Sequence, residues 1–174
     1  TEPAKPKDRA MRQSLSVAAL AATLVACQSS RPVPTAPAVP AQPALTVPAG
    51  AQSLSIAASP EQVRAALVES ALQRGTPVVQ QDANMVVIER KMTDANPALD
   101  AEFGASDNGD RVIRVRVRFT GEPCSTLAVQ DLAVINNART ALEQSFVLPG
   151  NANTMDSLKG LKSRAEKTSG CPAV

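Results

Sequence analysis

The chain has 174 residues, with 18 Lys and Arg against 16 Asp and Glu, three cysteines, three phenylalanines, and no histidine, tyrosine or tryptophan. Without histidine and tyrosine two common proton-transfer groups are missing, and no Cys/His zinc set can be assembled, so an enzyme or a metal protein is not expected. The formal charge of +2 comes from the first stretch: Lys5, Lys7, Arg9 and Arg12, with Glu2 and Asp8, precede Cys27 and leave 14 basic and 14 acidic residues after them, which speaks against a nucleic-acid protein with a basic surface.

Residues 15–27 form an apolar run that follows the basic start Met11-Arg12-Gln13 and stops at a cysteine. A span across a bilayer needs about 20 such residues, so the run is too short for one and has the pattern of a secretory leader. A buried helix that happens to carry a cysteine would share the composition. Against it, Gln28-Ser29-Ser30-Arg31 and a proline-rich tract follow at once, with no packed partner close in sequence. Leu24-Val25-Ala26-Cys27 resembles the lipobox of bacterial lipoproteins, the substrates of type II signal peptidase. The resemblance implies that the Cys27 thiol carries a diacylglycerol, that the leader is cut just before it, and that Cys27 becomes the first residue. Gln28 in place of aspartate resembles the pattern sent to the outer membrane, so a lipid anchor facing the periplasm is expected. Residues 1–10, ahead of Met11, are expected to be an upstream artefact; 11–26 are the leader, 27–52 the lipid-bearing cysteine and linker, and 53–174 the folded domain.

Between residues 28 and 50, Pro32, Pro34, Pro37, Pro40, Pro43 and Pro48 remove amide donors and favour an extended chain. At about 3.1 Å per residue such a tether reaches roughly 70 Å. With Cys27 assigned to lipid, Cys124 and Cys171 remain, and in an oxidising envelope they are expected to pair as a disulfide rather than stay as two unrelated buried thiols. A bridge over so long a loop stabilises by about 4 kcal/mol in the chain-entropy picture.

The domain opens with Ser53-Leu54-Ser55-Ile56-Ala57, an alternating stretch that predicts a strand. Ser59-Pro60-Glu61-Gln62 supplies an N-cap, a proline in the first turn and a capping-box glutamine, and Val63, Ala66, Leu67, Ser70 and Ala71 follow helical spacing up to Gly75. Strand-like runs at 77–80 and 85–91 flank the turn chemistry of Gln81-Asp82-Ala83-Asn84 and predict a hairpin. Residues 93–110 show no periodicity and read as a mobile acidic loop, with Asp94, Asp100, Glu102, Asp107 and Asp110. Its Asp107-Asn108-Gly109-Asp110 lacks the spacing and closing glutamate of an EF-hand, so no metal is expected there.

Ile113, Val115, Val117 and Phe119 alternate with Arg114, Arg116 and Arg118, which puts three guanidinium groups on one face of a strand. Residues 125–136 predict an antiparallel neighbour across Gly121-Glu122-Pro123, with Asp131 interrupting its alternation. A short strand or helical turn is expected at 142–148, and an amphipathic helix at 154–168 on Met155, Leu158, Leu161 and Ala165, weakened by Gly160. The order predicts an α+β fold, a mostly antiparallel sheet with two helices packed on one face.

No Gly-x-Ser-x-Gly or Ser-x-x-Lys motif occurs in the domain, and Asp110 stands where a phosphate loop after Gly104 and Gly109 needs lysine. No cofactor is expected. Arg114, Arg116 and Arg118 are the candidate surface for an anionic partner, since guanidinium forks bind carboxylate and phosphate bidentately. The plainer possibility is a solvated face with Glu89 or Asp131 as cross-strand partners. The expected function is a lipid-anchored binding or scaffold module for another envelope component. The alternative is a carrier of a small apolar or lipid ligand.

Overall fold

The computed structural model describes residues 44–172. The expectations for the leader, for the lipobox residues Leu24, Val25 and Ala26, and for Cys27 lie outside the described residues. So does most of the proline tract.

Alternation builds the sheet. Six antiparallel strands, β1 (Gln52–Ile56), β2 (Val78–Asp82), β3 (Met85–Lys91), β4 (Asp110–Glu122), β5 (Ser125–Ala138) and β6 (Gln144–Leu148), pair in the order β1-β5-β4-β3-β2, with β6 also on β5. β1 pairs residues 126–130 of β5 and β6 pairs residues 132–136, so the two short strands share one edge of β5 end to end. The Gly150 amide donates to the Gly50 carbonyl at 2.8 Å where they meet. With three helices, α1 (Pro60–Gln73), α2 (Pro97–Phe103) and α3 (Ala152–Ser169), the class is α+β.

Helix starts follow the capping chemistry. The Ser59 hydroxyl accepts from the Gln62 amide at 3.2 Å and the Gln62 side chain accepts from the Ser59 amide at 2.9 Å, closing the capping box ahead of Pro60. Val63, Ala66, Leu67 and Ala71 are buried, and Ser70 sits half-buried at the edge of the stripe. α3 starts two residues earlier than the apolar pattern suggests, because Asn151 and Thr154 form a second reciprocal cap, and Gly170 closes it in the left-handed conformation. Leu158, Leu161 and Ala165 of α3 join Val63, Ala66 and Leu67 of α1 in the core, with Ile56, Val86, Val117, Phe119 and Ala128 from the strands.

The reading of residues 93–110 changes in two ways. Residues 93–110 contain α2, capped by Asn96 accepting from the Leu99 amide at 3.1 Å, with Pro97 in the first turn, so the described residues hold a helix where a loop was expected. The rest of that segment is fastened to β5, with the Asn108 amide on Asn137 Oδ1 at 2.9 Å and the Asn137 amide on Ser106 Oγ at 2.8 Å, so it is not the loose loop expected. Lys162 donates to the Ser55 carbonyl at 3.1 Å and pairs with Glu166, which accepts from the Ala57 amide at 2.8 Å; its charge fastens α3 to β1.

Cys124, in the turn between β4 and β5, and Cys171, just past α3, form a disulfide with Cα atoms 5.7 Å apart, closing a separation of 47 residues. It ties the end of α3 to the end of the sheet. No described helix is long and apolar enough to cross a membrane.

Candidate functional site

Register decides which side chains share a face, because residues directly opposite in an antiparallel pair point the same way. Arg114 lies opposite Glu89 on β3 and Ala133 on β5, Arg116 opposite Val87 and Asp131, and Arg118 opposite Met85 and Val129. Asp131 does interrupt the apolar set Leu127, Val129 and Ala133, and that set lies on the arginine face, where the charge meets Arg116 and Arg118.

On that face every arginine finds a carboxylate. Arg114 Nη2 is 2.6 Å from Glu89 Oε1, and its Nη1 is 3.0 Å from Glu143 Oε1. Arg139 Nη1 reaches Glu89 Oε2 at 2.6 Å, so one buried carboxylate is held between two guanidinium groups. Arg116 donates from Nε and Nη2 to Asp131 Oδ2 at 3.0 and 2.9 Å, and Arg118 Nη2 joins them at 3.2 Å, while Arg118 Nε is buried without a partner. Burial opposes charge on Arg114, but its hydrogen bonds to Glu89 and Glu143 outweigh that and hold its pKa above the ordinary value. The Arg139 amide, donating to Glu143 Oε2 at 2.8 Å, and then Arg114 hold the Glu143 carboxyl below the usual glutamate range.

The acidic segment contributes to structure in the same manner. Arg111, a buried residue at the β4 bulge, donates from Nε to Asn136 Oδ1 and from Nη1 to Asp100 Oδ1, both at 2.6 Å, and from Nη2 to the Gly104 carbonyl, so it closes the end of α2. Asn136 adds a 2.8 Å bond to the Phe103 carbonyl. Asp110 pairs with Lys91 at 2.7 Å. Among the described residues no cluster of three or more His, Cys, Asp or Glu could hold a metal ion.

The opposite face differs. Val117 lies opposite Val86 and Gln130, Val115 opposite Ile88, and Ile113 opposite Arg90. Here a cleft of about 260 Å³ opens beside α1 and α3, lined by Leu67, Ser70, Ala71 and Arg74 of α1 and its C-cap, Ser157 and Leu161 of α3, and Ile88, Arg90, Ile113, Val115, Val117 and Gln130 of the sheet. Its lining holds two cations and no acid. Arg74 and Arg90 are both exposed, and neither forms an ion pair among the described residues. The cleft was missed in the sequence. Its one early signal is Arg90, two residues after Ile88 and therefore on the core-facing side of β3, where a charge is out of pattern.

The structure thus brings Arg114, Arg116 and Arg118 together with the two carboxylates named as their cross-strand partners, Glu89 and Asp131. No protein-family model matches the chain, and no curated protein matches its sequence.

Proposed function

We propose that the protein is a lipid-anchored envelope protein, held by Cys27 through a proline-rich tether, whose α+β domain is a binding or scaffold module for another envelope component. The proposed place is the outer membrane, facing the periplasm. The observation that carries the reading is the apolar run closing on Leu24-Val25-Ala26-Cys27 and followed at once by the proline tract. The role is non-catalytic, without a resident cofactor or metal and without nucleic acid as a partner.

In this reading α1 and α3 form one layer over one face of the sheet and leave the arginine face to the partner. Support comes from register: the strand residues that share the core with both helices lie opposite one another, and the arginines occupy the alternate positions. Arg116 and Arg139, with side chains 48% and 57% exposed, keep unused donors for an acidic partner while their carboxylates hold them in place. Replacing Cys27 with serine should move the protein from the membrane to the soluble fraction, and a variant that still sediments with membranes would refute the anchor. Arg116→Gln should weaken cross-linking to the envelope partner; unchanged cross-linking discards the arginine face as the partner surface.

The cleft favours a second reading, a carrier of a small apolar or lipid ligand. Native mass spectrometry after gentle extraction separates the two: a co-purifying small molecule supports the carrier, and a stoichiometric protein partner supports the scaffold.

A further inference from the structure

The two sets of arginines have been treated differently by the fold. Those of the arginine face are matched by Glu89, Asp131 and Glu143, whereas Arg74 and Arg90 line the cleft with no acid beside them. Unmatched cations at the rim of an apolar space attract an anion, because a carboxylate or phosphate held there gains charge-assisted hydrogen bonds from guanidinium groups less heavily hydrated than ammonium. A second group points the same way. Gln130 is 6% exposed, lines the cleft, and its carboxamide makes no hydrogen bond to another described residue. Neither polar atom of that carboxamide is shut off from water, so its donors and its acceptor stand open to the cleft. A molecule filling the cleft would supply a partner directly or through a water.

The size limits the occupant. At roughly 30 Å³ per water-sized group, the space holds about nine such groups. That is one medium-length acyl chain, too little for a two-chain lipid. The walls suit it: Leu67, Ala71, Ile88, Val115 and Leu161 are apolar.

We propose that the cleft binds a single-chain anionic amphiphile, its chain of about eight carbons against the sheet and its carboxylate or phosphate between Arg74 and Arg90. The proposal rests on the carrier reading and adds the ligand class. A free acid and a one-chain lysophospholipid share this chemistry.

Calorimetric titration of the full chain with sodium octanoate, monooctyl phosphate, octanol and octanoyl lysophosphatidate, each below its micellar concentration, tests it. Octanoate or octyl phosphate should bind one to one, at least about tenfold tighter than octanol. R74Q/R90Q should weaken the anion at least about tenfold and leave octanol unchanged. Preference for octanoate over the lysophosphatidate marks a free acid, and the reverse a lipid. Ser70→Leu, which fills one wall, should abolish binding of all four, with thermal unfolding confirming that both variants fold. Octanol binding as tightly as octanoate, or wild-type octanoate affinity in R74Q/R90Q, overturns the anionic ligand and leaves the carrier reading standing. Failure of all four probes to bind removes both.

Discussion

The two faces of the sheet carry the same side chain to opposite ends. On one, Arg114, Arg116, Arg118 and Arg139 stand over Glu89, Asp131 and Glu143, and a carboxylate with 5% of its side chain exposed sits between two guanidinium groups. On the other, Arg74 and Arg90 stand at the rim of an apolar cleft with no acid in its lining. An arginine's charge alone therefore does not mark a binding site. What matters is whether the fold has already supplied the counter-charge: where it has, the pairs fix the register of neighbouring strands and leave a partner only the spare donors of exposed members such as Arg116 and Arg139, and where it has not, the whole attraction is left over for a ligand.

The comparison can be broken or sharpened by substitution, from large effects to small. Replacing Cys124 and Cys171 together with serine strikes both faces at once. It should cost about 4 kcal/mol in urea unfolding, less any residual order of the unfolded chain, while octanoate affinity of the folded fraction stays the same. Glu89→Ala strikes the arginine face alone: it leaves Arg114 to Glu143 and Arg139 to Asp110, and it should cost about 2 kcal/mol, the loss of charged hydrogen bonds at a buried carboxylate rather than the full penalty of an unpaired buried charge. A loss below about 0.5 kcal/mol, the range of an ordinary surface change, would mean the network does not hold the sheet.

Acid should act next. Lys162, and then the Ala57 amide, hold the Glu166 carboxyl below its ordinary range, and Glu143 is lowered likewise. A carboxyl with a depressed folded pKa stabilises fully above the ordinary glutamate range, and that contribution is lost as pH falls through the folded value. Stability should therefore drop as the pH goes below the ordinary glutamate range. E143Q and E166Q should each flatten part of the drop in unfolding measured against pH, and an unchanged slope in both would discard these two carboxyls as its source. The smallest change is favourable: a Cβ at Gly160 meets nothing within 4 Å, so Gly160→Ala should add about 0.5–1 kcal/mol by helix propensity. A decrease in thermal midpoint would show a contact at that position that the structure lacks.

Much of the layout was legible in the sequence because it is written in short-range chemistry. Ser59, Pro60 and Gln62 define the start of α1, and the strict alternation of residues 113–119 defines β4 and its two faces. The partners Glu89 and Asp131 could be named because strand pairing brings alternate residues together. α2 was not legible: seven residues are too few to show a 3.6 period, and Asn96-Pro97, the same cap-and-proline device as Ser59-Pro60, also suits a turn. The cleft was hidden for another reason. Its residues come from two helices and three strands, and Arg90 is a lone charge on the apolar side of β3 while Gln130 is one of three polar positions on its side of β5, with Thr126 and Asn136, so their meaning appears only when β3, β4 and β5 are set in register.

The contrast between the faces is tested most directly by amide and side-chain resonances of the full chain as sodium octanoate is added. The account predicts saturable shifts at Leu67, Ala71, Ile88, Val115 and the Gln130 carboxamide, with Arg116, Asp131 and Glu143 unmoved. Shifts confined to the arginine face, with the cleft silent, would contradict it.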